Sequence, residues 1–312
     1  MGSFLLQITL NFDNFPKTKT KQMQNILVTG ATGNVGRAVI DHLLRNPIGG
    51  DVIAAVRDVE KEKHTFNHLK GLSYGYFDFE DSTSFNGAFK EINVLFLLRP
   101  PHISDIEPIF KPLLLAAKQS GLTKIVFLSV QGAEKSKVIP HNKLERLITS
   151  LGFHAIFVRP SYFMQNLTTT LLPEIKKESS ITLPAGRAKF NWVDVEDIGA
   201  ACAVLLRSFD VHNNGVYEIT GNENLNFNEV AKMMTQHLGA EITYHRINPL
   251  CFYIKKRRAG MPQGFALVMT LLHFLPRLQK EPRISSDFVE LTGKSPISLN
   301  AFLHREKETF QN

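Results

Sequence analysis

The chain has 312 residues, 43% of them hydrophobic and 21% charged, and a net charge of +7 before its 11 histidines are counted. Such a chain supports two domains, or one large α/β domain with an appendage, and excludes a disordered, collagen-like or low-complexity protein. Two cysteines, Cys202 and Cys251, exclude a disulfide scaffold and a cysteine-rich zinc site; both stand in apolar stretches and are expected to be buried free thiols.

Residues 1–22 carry a short apolar stretch and then Lys17, Lys19 and Lys21, without the basic start and cleavage site of a signal peptide. They are expected to be a disordered extension, or translation to start at Met23, with a cytoplasmic location. From there, short apolar runs alternate with helical periodicity. Strands are expected at 25–29, 51–56, 71–76, 93–98, 123–129 and 154–158, and helices at 35–44, 103–120 and 141–151. Continuous apolar strands separated by helices predict a parallel sheet covered on both faces.

After Pro160 the pattern changes. Isolated strand-like pieces at 189–193, 215–219 and 241–244 lie among helices, one of which, 197–206, is expected to return to the sheet. Everything from 249 onward reads as helical. The longest apolar run, 265–275, is too short to span a bilayer and reads as a buried helix, with cleft lid or dimer contact as alternatives. The expected fold is therefore α/β: a doubly wound parallel Rossmann sheet with a smaller, mostly helical α+β C-terminal substrate domain. Residues 23–160, with 191–213 returning, form the expected nucleotide-binding domain; 161–190 and 214–312 form the substrate domain.

The strongest chemical signal is the run TGATGNVG after the first strand. Gly30 permits a tight turn, Gly33 lets the backbone approach a pyrophosphate, and Gly36 lets the helix pack closely. With Thr32, Asn34 and Val35 they open a helix whose free N–H groups and dipole suit phosphates. Strand two ends in Arg57-Asp58. Arg57, assisted by Lys61 or Lys63, is placed to pair with a 2′-phosphate, which favours NADP(H) over NAD(H); the other reading leaves Arg57 a solvated charge and gives recognition to Asp58. Asp78 and Phe79 are expected to flank an adenine, or to form an ordinary turn. Leu98, Arg99 and Pro100 after strand four, and Ser129 and Val130 after strand five, share the rim where ribose and nicotinamide are expected.

TGATGNVG, AAVRD, FLLRPP (96–101), FVRPSYFMQNL (157–167), FNWVDVEDIGA (190–200), YEITGNENLNFNEVAKMM (217–234) and RISSDFVELTGKSPISLNAF (283–302) together resemble the NmrA-like family of atypical short-chain dehydrogenase/reductases, over essentially everything from Met23 onward. The resemblance implies a Rossmann domain binding NADP(H) or NAD(H), and a smaller domain closing a substrate cleft. It puts residues 160–166 beside the nicotinamide. Pro160, Ser161 and Tyr162 then belong to the cofactor site, and Tyr162, Phe163, Met164 and Asn166 to an aromatic wall for a flat acceptor, unless the aromatics are core. Similar sequences include quinone, azo-dye and triphenylmethane-dye reductases, isoflavone-reductase-like enzymes, and nucleotide-sensing regulators without turnover.

The Tyr-x-x-x-Lys pair of typical short-chain dehydrogenases is absent. With Glu145 as register mark, Lys137 takes the tyrosine position and His141 the lysine position. His141 is the catalytic candidate, to hold the ribose or relay a proton near neutral pH; Lys143 is expected to point away. A quinone or azo acceptor needs a delivered hydride and any nearby proton, so the missing pair argues only against an ordinary alcohol dehydrogenase. The reading is an NAD(P)H-dependent reductase of a small flat acceptor such as a quinone or azo compound, with a non-catalytic NAD(P)-sensing regulatory protein that binds a partner according to nucleotide redox state as the alternative. Asp194 and Asp197 are expected to cap and complement a helix, and 255–258 to be a solvated basic turn. No metal, nucleic acid or membrane is expected, and the chain is expected to be a monomer or homodimer.

Overall fold

The computed structural model describes residues 24–46, 49–137 and 139–311, so the expectations for 1–22 and Met23 lie outside the described residues. Apolar runs between turns form β1 (Ile26–Val28), β2 (Val52–Val56), β3 (Leu72–Tyr76), β4 (Val94–Leu98), β5 (Lys124–Leu128) and β6 (His154–Val158), all within one residue of expectation at each end. Between them lie α1 (Asn34–Arg45), α2 (Val59–Thr65), α3 (Phe85–Ala88), α4 (Glu107–Gln119) and α5 (Pro140–Ser150). Helix α2 escapes a reading of periodicity because it buries nothing; Asp58 caps it, accepting from the Lys61 backbone N–H at 3.0 Å.

Beyond β6 come β7 (Tyr162–Phe163), α6 (Leu172–Glu178), β8 (Ser180–Leu183), β9 (Phe190–Val193), α7 (Val195–Arg207), α8 (Phe209–His212), β10 (Val216–Tyr217), β11 (Asn224–Leu225), α9 (Phe227–Leu238) and β12 (Thr243–Arg246). Then α10 (Pro249–Arg258), α11 (Gln263–Phe274), α12 (Asp287–Thr292), α13 (Leu299–Arg305) and α14 (Lys307–Gln311) close the chain.

The main sheet is parallel throughout, in the order β3-β2-β1-β4-β5-β6-β10. The order reverses between β1 and β4, and ligands of open α/β sheets bind at such a reversal, outside the carboxyl ends of the strands. Thr29 stitches that point: its hydroxyl donates to the Phe96 carbonyl (3.0 Å) and accepts from the Leu98 N–H (2.8 Å). One face of the sheet packs on α1 and α7, the other on α3, α4 and α5. Helices α1 and α7 cross so closely that a Cβ on Gly199 would lie 2.6 Å from that of Ala38.

A third core, around Trp192, Phe227 and Met164, unites the pieces beyond β6. Two small sheets serve it, β11-β9-β7 and β12-β8. The division between the two halves differs from the expected one. Strand β9 pairs with β7 and β11, so the return to the main sheet begins with α7. Strand β10, on the far side of residue 213, joins the main sheet, and Phe288 of α12 is buried in the core beneath α7.

Two burial expectations fail. Cys202 is buried, which pushes its thiol pKa up, but Cys251 is exposed, because its neighbour Phe252 is the α10 side chain that turns inward. Helix α11 is buried on one face only: Ala266, Met269, Thr270 and His273 face inward, while Leu267, Val268, Leu271 and Leu272 face out.

Candidate functional site

The loop between β1 and α1 is held by its own backbone. Gly30 sits at φ +63°, a left-handed conformation that glycine adopts without a Cβ penalty. A Cβ there would lie 2.3 Å from Cδ2 of Leu98, so Leu98 is the floor of the loop. The Gly33 N–H donates to the Gly30 carbonyl at 3.0 Å, and a Cβ on Gly36 would come within 2.2 Å of the same oxygen. Gly33 is the N-cap of α1 and brings no side chain to the first-turn N–H groups; that turn holds no acidic residue. A helix N-terminus of this kind attracts an anion. Thr32, Gly33 and Asn34 are exposed above it, whereas Val35 and Gly36 are buried below. Arg37, which sequence reasoning missed, donates from Nε to the Thr32 carbonyl (3.0 Å), and its guanidinium lies over the Phe66 ring.

At the end of β2, Arg57 is exposed while the Asp58 carboxylate is engaged in capping α2. Of the two lysines placed near Arg57, Lys63 pairs with Glu60 at 2.8 Å. Asp78 is a turn residue: its carboxylate accepts from the Glu80 N–H at 3.0 Å. Phe79 is half-buried and packs on Phe77 and Phe110.

After β4, Arg99 curls over its own loop, donating to the carbonyls of Pro100 and Ile103, while its Nε is buried without a hydrogen-bond partner among the described residues. Burial lowers its pKa to about 10. After β5, Ser129 is buried with its hydroxyl likewise unpartnered, and Val130 is half-buried. Buried polar atoms without partners are uncommon and call for an account. Two of them, Arg99 Nε and Ser129 Oγ, follow the adjoining ends of β4 and β5; others, on His42, Glu62 and Arg207, lie elsewhere.

His141 lies in the first turn of α5 after Pro140, its ring nearly parallel to that of Phe127 at 6.3 Å. The start of α5 is fixed by Asn142, which donates to the Ala133 carbonyl (3.1 Å), and by Glu145, buried in a two-pronged pair with Arg159 (3.0 and 2.7 Å). Burial, aided by the Arg99 guanidinium, holds the His141 pKa down at about 3. A relay at neutral pH needs a pKa near 7. With its pKa at about 3 the imidazole is neutral at pH 7, so it would enter a proton relay as a base and not as an imidazolium donor. Lys143 is exposed, pointing away as its spacing requires.

The segment after β6 is tied by its side chains to other elements. Pro160 is buried, and the Ser161 hydroxyl donates to the Asn191 side-chain oxygen at 2.6 Å. Tyr162 packs edge-on against Phe190 (5.1 Å) and Trp192 (4.9 Å). Its hydroxyl lies 2.9 Å from His273 Nε2 on α11. Because His273 Nδ1 is 2.7 Å from the Met269 carbonyl, that nitrogen carries the proton, and Nε2 accepts from Tyr162. Burial keeps His273 neutral, with its pKa down at about 4, and pushes the Tyr162 phenol up. Met164 is fully buried. Met164 therefore offers no thioether face as a wall, whereas Tyr162, Phe163 and Asn166 are half-buried, Tyr162 against the third core and Phe163 against the main-sheet core.

Asp194 caps α7, accepting from the Glu196 N–H (3.0 Å), and pairs with Arg305 (2.9 Å). Asp197 does more than complement the dipole. It is buried, accepts from the Ile297 N–H at 2.8 Å, and burial lifts its pKa to about 7. Among the described residues no group of three or more His, Cys, Asp or Glu side chains is arranged to hold a metal ion. A cavity of about 590 Å³ opens between α6 and the α10–α11 turn and has none of the rim residues in its lining.

The model of the NmrA-like family matches residues 22–295. Prestalk A differentiation protein A of Dictyostelium discoideum is 28% identical over 94% of this chain and 95% of its own length. NAD(P)H azoreductase of Xenophilus azovorans is 27% identical over 80% of this chain and 86% of its own. Among solved structures, the Citrobacter sp. triphenylmethane reductase complexed with NADP(H) superposes with a TM-score of 0.78, at 25% identity, covering 90% of this chain and 99% of that one.

Proposed function

For a chain that belongs to the NmrA-like family, we propose a function as an NADPH-dependent reductase that passes a hydride directly to a small flat aromatic acceptor, a quinone, azo or triarylmethane compound. The observation that carries this reading is the glycine loop at the sheet reversal, whose uncapped α1 N-terminus stands free of acid beside an exposed Arg57. The orphaned Ser129 hydroxyl and Arg99 Nε fit a ribose and a carboxamide, which supply the missing partners. The relatives named as an azoreductase and a dye reductase support the acceptor class.

In this reading the α1 N-terminus, with Thr32, Gly33 and Asn34, binds the pyrophosphate, and Arg57 pairs with the 2′-phosphate. Asp58 is engaged in capping α2, which favours NADPH over NADH. NADPH, when bound, supplies the hydride. His141, Ser129 and Arg99 line the nicotinamide end and orient it; Val130, Pro160 and Ser161 close that end. Phe163 and Asn166 remain as acceptor contacts. With His141 neutral, the proton that a quinone or azo acceptor needs comes from water, while a cationic dye takes the hydride alone.

The test is the loss of NADPH absorbance on adding quinones, azo dyes and triarylmethane dyes, with a control lacking protein. Repeated turnover is expected. If NADPH binds but no acceptor is reduced, while a partner protein distinguishes NADP⁺ from NADPH, the chain is a sensor and the reductase reading fails.

A further inference from the structure

Residues 249–280 contain six lysines and arginines and no aspartate or glutamate, in a chain whose whole net charge is +7. Helix α11 within that stretch has no charged residue. Its outward face exposes Leu267, Val268, Leu271 and Leu272 and continues through Leu275 to Leu278, each between 39 and 72% exposed. Helix α10 packs alongside and adds two further exposed apolar side chains. A contiguous apolar surface of this kind, rimmed by charge, marks an interaction site.

Cations stand at both ends of the stripe. Lys255 to Arg258 end α10 next to the start of α11, and Arg277 and Lys280 follow its last turn. Lys255 and Lys256 share Glu174 (3.4 and 4.0 Å). Arg258, Arg277 and Lys280 have no ion-pair carboxylate among the described residues. A second copy of the chain would set this acid-free segment against its own like charges across a twofold interface. An anionic lipid surface complements both the leucines and the cations.

We propose that the α10–α11 face seats on an anionic lipid surface, with α11 lying in the plane of the interface. Twelve residues make a helix of about 18 Å, too short to cross the roughly 30 Å hydrocarbon core. No helix among the described residues is long and apolar enough to span. The expectation of no membrane rested on span length, which an interfacial helix does not need. The inward face of α11 is locked by the His273 bond to Tyr162 and by Met269 in the core, so the helix presents its leucines from a fixed position.

The experiment is co-sedimentation of the full chain with phosphatidylcholine vesicles, with and without phosphatidylserine, at low and high salt. Binding to the phosphatidylserine vesicles alone is expected, weakening as salt rises. Replacing Leu271→Ser with Leu272→Ser should lower the partition about tenfold, and Leu278→Ser, at the most exposed position, severalfold. Melting temperatures should hold, since all three side chains face solvent. No sedimentation, or sedimentation that the serine variants leave unchanged, overturns the proposal. So does a concentration-dependent dimer that they dissolve without any vesicle binding, which assigns the face to a second copy.

Discussion

The loop after β1 and the segment after β6 leave the same edge of one parallel sheet, yet they keep their functional groups in opposite ways. In the loop, Gly33 and Gly36 close on the Gly30 carbonyl and Gly30 on the Leu98 side chain, and the groups left facing out are N–H donors that no side chain fills. In the β6 segment, Met164 is buried in a third core, Tyr162 packs against that core and bonds to a helix more than a hundred residues away, and Phe163 packs on the main-sheet core. A site made of backbone is complete within ten residues of sequence. A site made of side chains depends on what the rest of the chain brings to cover them.

The largest test of that contrast is Gly36→Val. Its new side chain meets the Gly30 carbonyl, so the loop and the start of α1 must separate, at about 3 kcal/mol or more; loss of soluble protein or of NADPH binding is the expected readout. Next is pH. The folded-state pKa of Asp197 is raised to about 7 from an ordinary 3.8, so the folded state holds a proton that the unfolded chain releases between those values. Stability from this group is therefore fully present at low pH and lost as pH rises to 7, by about 4 kcal/mol over the window. Asp197→Asn, which still accepts from the Ile297 N–H, should flatten that slope in urea melts between pH 4 and 8.

Smaller effects sharpen the acceptor half. Tyr162→Phe leaves His273 Nε2 unpaired in the core and should cost about 1–2 kcal/mol of stability. The rate with a good acceptor should change less than about threefold, because the ring keeps its packing; a large fall in kcat with an unchanged melting temperature would return Tyr162 to the acceptor wall. Arg57→Asp should weaken NADPH about tenfold or more, and NADH far less, in fluorescence titrations. Equal losses would mean that Arg57 is a solvated charge and not the 2′-phosphate clamp.

What the sequence made legible follows the same division. Six strands, the glycine loop and the Asp194 cap follow from local patterns, because the residues that decide them are neighbours. The packing of Tyr162 is not legible locally, since it depends on Trp192, Phe227 and His273 arriving from three other elements. In the sequence His273 is one polar residue inside the apolar run 265–275. Its i−4 bond to Met269, which fixes its proton, shows only once α11 exists. The outward leucines of α11 were hidden for the opposite reason: an apolar run looks the same whether one face is covered or both.

The most direct test of the account uses NADPH deuterated at the transferring position of C4 and a cationic triarylmethane dye. Its central carbon gains a C–H bond that does not exchange with water, so the origin of the hydrogen can be read by mass spectrometry. Direct hydride transfer predicts one deuterium at the central carbon of the leuco product, with a rate slowed by the heavier isotope. Reduced dye carrying only solvent hydrogen there, or no reduction while NADPH is bound, would contradict it.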